Sequence, residues 1–384
     1  MSGSQRSRVL VLCAVTAIAF LLGEIALRIT LPSHYYVWPP HLHQVFRPYE
    51  EAMPGIRGTS EFITNATGIR GDELLATHTY RILAVGGSTT ECLYLDQRET
   101  WPHLLQQALN DHAADQHVWV GNVGMSGRST RHHITAIQYL PLTEMKIDVI
   151  VLLAGINDLS RRLSQDTAYD PDYLSRPQAA KTLLFETFSG GNQPYPDADL
   201  FFKKTATWRL IKQVAMLASK DGVQDESGRI YLVWREHRRA AREIRARLPD
   251  LDAARSEYRR NIDRIIDLAR ERSIRVILLT QPTMWKTDLP ERLSSLLWFG
   301  GVGDFQKERG NPYYSIEALE RGMRDYNDTL LAVCRERQVE CVDLAASLPK
   351  DTTVFYDDAH FNESGARKTA AILADYLLTH RQAS

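Results

Sequence analysis

The residues with the most chemical capacity fall into four short clusters: Gly86-Gly87-Ser88-Thr89-Thr90, Asn122-Val123-Gly124-Met125-Ser126-Gly127, Gly155-Ile156-Asn157-Asp158 and Asp357-Asp358-Ala359-His360. Two glycines before Ser88 permit a sharp turn that leaves a hydroxyl exposed. A serine hydroxyl becomes a nucleophile only beside a base, and His360 can supply one. Asp357, three residues earlier, can bend back to fix the imidazole tautomer and stabilise its charged form. Attack on a carbonyl puts negative charge on its oxygen. The backbone N–H groups of Ser88 and Gly127 and the side-chain amide of Asn157 are expected to receive that charge. Singly, each signal is weak, since Gly-Gly-Ser is usually a turn and Asp-x-x-His usually a surface pair.

Their positions in the chain give them weight. Arg81 to Val85, Val118 to Val123, Asp148 to Leu153, Arg275 to Thr280 and Val339 to Leu344 read as strands. Between them run amphipathic stretches: Thr100 to Ala113, Arg131 to Leu140, a helix carrying Tyr258, Ile262, Ile265 and Ala269 on one face, and the series Ile316, Leu319, Met323, Tyr326, Leu330, Val333. Asn362 is placed to cap a last helix reaching about His380. Strands alternating with helices predict βαβ units, a parallel sheet and an α/β fold. In such sheets reactive groups gather at the C-terminal strand ends. Reading those ends in order gives Ser, Gly, Asn, and then Asp and His beyond the last strand.

That order resembles the SGNH hydrolase superfamily, the GDSL-like esterases, over roughly residues 80–380. The resemblance implies a three-layer α/β/α, flavodoxin-like fold around a central five-stranded parallel sheet. It also implies a Ser88–His360–Asp357 triad and an oxyanion hole of Ser88, Gly127 and Asn157. Gly87 stands where the family's namesake motif has Asp. Thr64-Asn65 and Gly68-Ile69-Arg70-Gly71 are similar to a segment preceding the catalytic domain in bacterial membrane-anchored members, to which no role is attached.

The expected activity is hydrolysis of a carboxylic ester, acetyl or another short acyl group, on a small molecule or glycan. Acyl transfer to an exported glycan would use the same residues, and a non-catalytic glycan-binding or assembly role is the third reading. Gly124-Met125-Ser126-Gly127 nearly matches a G-x-S-x-G elbow, but Arg128 occupies the last glycine position. Neither a P-loop nor a zinc-binding spacing occurs, so no cofactor or metal is expected. A formal net charge of −1 gives no electrostatic basis for binding nucleic acid. The Arg-rich stretch from Arg235 to Arg275, interleaved with Glu and Asp, reads as a solvated helix face. His41, His43, His132 and His133 read as exposed or packing residues, and Trp285 and Trp298 as packing residues rather than sugar platforms. Cys334 and Cys341 could form a disulfide or remain thiols.

At the N-terminus, Arg6 and Arg8 precede an apolar run from Val9 to Gly23, 15 residues long, which Glu24 interrupts. Extension to Leu31 gives the ~20 residues that a span requires. Tyr35, Tyr36 and Trp38 follow as an interfacial belt. This predicts a cytoplasmic start (1–8), an inner-membrane signal anchor (9–31), a membrane-proximal loop region (32–79) and an exported domain (80–384) with an insertion at about 160–230. A cleaved signal peptide ending at Ala17-Ile18-Ala19 is the rival reading.

Overall fold

A computed structural model describes residues 3–30, 35–112, 117–188, 201–218 and 223–380. It opens with α1 (Gly3–Thr30), of which Ser7–Thr30 is long and apolar enough to cross a membrane. Then come β1 (His43–Pro48) and β2 (Ser60–Ile63), in a stretch expected to be all loop. β3 (Tyr80–Gly86) leads into α2 (Ser88–Glu91), followed by α3 (Trp101–His112), β4 (Val118–Asn122), α4 (Thr130–Tyr139), β5 (Val149–Leu153) and α5 (Ile156–Gln165). The region expected as an insertion holds α6 (Ala179–Thr187), α7 (Ala206–Ala218) and β6 (Val223–Ser227). The second half contains α8 (Ile230–Arg239), β7 (Ile244–Arg245), α9 (Asp252–Arg270), β8 (Arg275–Leu279), α10 (Glu291–Ser294), β9 (Tyr313–Tyr314), α11 (Ile316–Arg337), β10 (Glu340–Val342), α12 (Leu344–Ser347) and α13 (Glu363–Thr379).

The central sheet has five strands in the order β10-β8-β5-β3-β4, all parallel. Strand β5 is buried along its whole length, as the uninterrupted run Val149–Leu153 requires when helices cover both faces. Helices α3 and α13 pack together, and α9 packs with α4 and α11, giving the three-layer α/β/α arrangement. The apolar stripes are the predicted ones: Leu105 and Leu109 on α3, Ile262 and Ile265 on α9, and Leu319 and Tyr326 on α11 are buried. Asn362 caps α13, its Oδ1 accepting from the Gly365 N–H at 2.9 Å. Chain order reverses between β3 and β5, and such a switch point opens a crevice at the strand ends.

Two expectations change. Residues 35–79 are not loop throughout, because β1 pairs with both β2 and β6 in a small second sheet. Its strands are short and partly polar, so their period-two pattern is masked by the glycines and prolines around them. The Arg235–Arg275 stretch is two helices rather than one solvated face. Arg235 is buried with its guanidinium bonded to the carbonyls of Ala52 at 2.6 Å and Leu296 at 2.9 Å. Arg238 donates to the carbonyls of Phe299 and Tyr314 at 2.5 and 2.9 Å.

At the far end of α1, Glu24 finds partners that the sequence left open. It accepts from Arg28 Nε at 2.8 Å and from the N–H groups of Ala206 and Thr207, at 2.6 and 3.0 Å, at the start of α7. Cys334 and Cys341 are joined as a disulfide between α11 and β10.

Candidate active site

Strand β3 ends at Gly86, and the chain turns at once into α2 with Ser88 as its first residue. Neither preceding position tolerates a side chain. A Cβ on Gly86 would lie 2.6 Å from the Leu153 carbonyl, and one on Gly87 would lie 2.4 Å from Asn157 Nδ2. The same closeness seats the Asn157 amide against the turn that carries Ser88. That amide donates to the Arg128 carbonyl at 2.9 Å, which fixes its orientation. Gly127 adopts φ +75°, a left-handed conformation suited to glycine, and is exposed on the rim.

His360 arrives from the other side, on the turn between α12 and α13. Its Nε2 lies 2.7 Å from Ser88 Oγ, and its Nδ1 lies 2.7 Å from Asp357 Oδ2. With the Nδ1 proton held by the carboxylate, the Nε2 lone pair faces the hydroxyl. Asp357 is fully buried and accepts further bonds from the His360 and Ala359 N–H groups and the Trp298 indole, at 2.9, 3.0 and 2.8 Å. The imidazole lies nearly parallel to the rings of Tyr356 and Trp298, tilted by 10° and 9°.

Charges follow this packing. Burial opposes ionisation of Asp357, yet the neighbouring imidazole charge and the converging donors hold its carboxyl below the usual range. Burial likewise opposes charge on His360, but the Asp357 carboxylate outweighs it and raises the imidazole above its ordinary value. Asp358 is bonded away from His360. It takes the Trp285 indole at 2.7 Å and the Trp298 N–H at 2.8 Å, and burial together with the Asp357 charge pushes it up to about 6.

All five residues expected from the sequence come together: Ser88, Gly127, Asn157 and His360 line one cavity of about 370 Å³, with Asp357 buried behind His360. A profile of the GDSL-like lipase/acylhydrolase family matches residues 84–368, about three quarters of the chain. The chain belongs to that family. As a GDSL-like acylhydrolase it is an ester-hydrolysing enzyme, and Gly87 stands where the family name has Asp. No curated protein matches the sequence. Among solved structures, an acetylxylan esterase from Geobacillus stearothermophilus is similar at 13% identity and TM-score 0.40, covering 78% of this chain and 94% of that one. A putative lipolytic G-D-S-L protein from Desulfitobacterium hafniense aligns at 10% identity and TM-score 0.39, over 77% of this GDSL-like chain and 99% of its own.

Several residues around the site have roles that the sequence did not disclose. Arg70, fully buried, donates to the carbonyls of Glu91, Cys92 and Leu95 at 2.5, 2.8 and 2.8 Å and to Gln97 Oε1 at 2.9 Å. It thereby clamps the chain that leaves α2. Glu91, in the same helix as Ser88, is buried and accepts the Ser126 hydroxyl proton, tying α2 to the Gly127 loop. Burial pushes its carboxyl up to about 7. Trp285 and Trp298 are buried as expected, but their indoles serve Asp358 and Asp357. His132 and His133 are packing residues, while His41 and His43 are exposed. The Gly-Ile-Arg-Gly motif was the available signal for Arg70; nothing in the sequence marked Glu91.

Proposed function

We propose that this protein is a serine esterase that removes a short acyl group from an oxygen ester through an acyl-Ser88 intermediate. The observation that carries this reading is the continuous relay from Ser88 Oγ through His360 to Asp357, both links 2.7 Å long. His360 Nε2 takes the Ser88 proton as Oγ attacks the carbonyl carbon. The Ser88 and Gly127 N–H groups and the Asn157 amide receive the developing oxyanion. His360 then protonates the departing alcohol oxygen. Water, activated by the same imidazole, adds to the acyl carbon and releases the carboxylic acid and Ser88. Asp357 stays ionised throughout, orienting the ring and stabilising its cationic form.

The cavity supports a short acyl group on a polar alcohol: its lining combines Ser126, Asn157, Ser160 and Ser164 with Trp234 and Trp298. Transfer to a glycan hydroxyl would need water kept from the acyl-enzyme, and the exposed Gly127 rim favours hydrolysis. Arg6 and Arg8, in the first turns of α1 ahead of its apolar run, favour an anchored protein whose acylhydrolase domain lies outside the inner membrane, on the periplasmic or extracellular side. The Cys334–Cys341 disulfide suits such an oxidising compartment.

Fluorophosphonate labelling tests the nucleophile. The native protein is expected to be labelled and to show burst kinetics with p-nitrophenyl acetate. Equal labelling of native and Ser88→Ala proteins would refute the assignment.

A further inference from the structure

One wall of the cavity is a single face of α5. Asn157, Ser160, Arg161 and Ser164 are spaced three, four and seven residues from the first, so they stack along one side of the helix. Asn157 stands at the oxyanion end. Arg161, one turn further on, lies about 6 Å along the helix axis.

Besides the Tyr231 phenol, four charged or ionisable side chains line this cavity: Arg161, Asp304, Asp358 and His360. Three are engaged. His360 is bonded to Asp357, Asp358 to the tryptophans, and Asp304 to Lys307 Nζ at 2.9 Å. Arg161 is half-buried, its Nε is shielded from solvent without a hydrogen-bond partner, and no salt bridge holds its guanidinium among the described residues. The acidic groups in its field are held elsewhere, Glu186 by His132 Nε2 at 2.9 Å and Asp158 by Thr130. Arg128 adds a second positive charge nearby. A half-buried guanidinium that faces a cavity without a protein partner is placed to receive an anionic ligand.

We infer that Arg161 is a specificity residue for a carboxylate on the substrate, so that the favoured esters are acyl groups on acidic sugars. This rests on reading the cavity as the esterase site. The planar fork of one guanidinium matches a carboxylate in two parallel bonds. The Ser160 and Ser164 hydroxyls flank it along the helix, and the Trp234 side offers an aromatic surface for a pyranose ring. A neutral acetylated sugar would leave Arg161 unpaired inside the complex. Discrimination against it comes from that cost as much as from the bonds a carboxylate would accept.

The test has a binding arm independent of hydrolysis. Ser88→Ala protein is titrated with methyl glucuronide and with methyl glucoside, which differ in having a carboxylate or a hydroxymethyl group. The glucuronide is expected to bind at least about 10-fold more tightly, the usual scale for a hydrogen-bonded charge pair, and the margin should shrink with added salt. Adding Arg161→Gln should bring the two affinities together, and Arg161→Lys should restore part of the difference. In the native enzyme, the ratio of kcat/KM for acetylated glucuronide over acetylated glucoside should collapse in Arg161→Gln, whatever the absolute rates. Equal affinities in the Ser88→Ala protein, no binding of the glucuronide, or a preference that survives Arg161→Gln each overturn the inference. A glucuronide preference in a protein that hydrolyses no ester would instead sink the esterase reading and leave Arg161 standing.

Discussion

Trp298 donates its indole N–H to Asp357 Oδ2 at 2.8 Å, the same oxygen that accepts a hydrogen bond from His360 Nδ1 at 2.7 Å. The tryptophan thus sets how much negative charge the carboxylate presents to the imidazole. Replacement by Phe keeps most of the ring and deletes the donor. With Asp357 fully buried, Trp298→Phe is expected to destabilise the protein by about 1.5–3 kcal/mol, the cost of a hydrogen bond to a charged group. It should also raise the His360 pKa further. Urea unfolding and the acid limb of the rate profile read the two effects; an unmoved acid limb would count against the coupling.

The pH dependence of activity has a definite sign. His360 must be neutral to accept the Ser88 proton, and its pKa lies above the ordinary 6.5 because the Asp357 carboxylate outweighs burial. Activity should therefore rise with pH through a midpoint above that value. Asp357→Asn removes the cause, so the midpoint should move down while kcat falls by about ten-thousand-fold, as when a triad loses its orienting carboxylate. Initial rates from pH 5 to 9 check both.

Glu91 predicts a change in stability. Its folded pKa is raised from 4.5 to about 7 by burial. The folded state thus binds the proton more tightly than the unfolded one, and stability is fully present below pH 4.5 and lost as pH rises through 7. The loss is about 3 kcal/mol at 1.36 kcal/mol per pKa unit. Glu91→Gln should flatten this slope and still accept the Ser126 hydroxyl. Glu91→Ala frees the Gly127 loop and should lower kcat about 10-fold. Unfolding midpoints at pH 5 and pH 8 decide the matter, and an identical slope in native and Gln proteins would contradict it.

Arg70 makes the third stability prediction. Its guanidinium satisfies three buried carbonyls and one amide oxygen, and no apolar side chain can replace those donors. Arg70→Met should cost about 3–5 kcal/mol, the scale for removing one partner from a buried charged network. Arg70→Lys should rescue little, since a single ammonium cannot span the four acceptors. Denaturation midpoints of the two variants should be similar to each other and well below that of the native protein.

The legible part of this molecule is what periodicity and strand order encode. Ser88, Gly127, Asn157 and His360 could be placed because a parallel sheet delivers strand ends to one edge, and α3, α9 and α11 because their apolar residues recur at helical spacing. Arg235 and Arg238 were misplaced because they look like any charged residue among Glu and Asp; only the carbonyls converging on them show that they are buried. Strands β1, β2 and β6 escaped because each exists through its pairing with a distant segment. Glu91 and Arg161 escaped for a related reason: a helix face has no chemical meaning until the walls opposite it are known.

The segment between α1 and the sheet has a practical consequence. Residue 80, where the sheet starts, looks like the natural place to cut a water-soluble fragment. That cut would remove β1 from β6, Arg70 from the carbonyls around Glu91, and Gly55 from its close approach to Asn362 beside the His360 turn. A fragment beginning near residue 35 discards α1 and retains all three. What resembles a stalk is a brace on the domain behind it, and trimming it would loosen both the chain that follows Ser88 and the turn that carries His360.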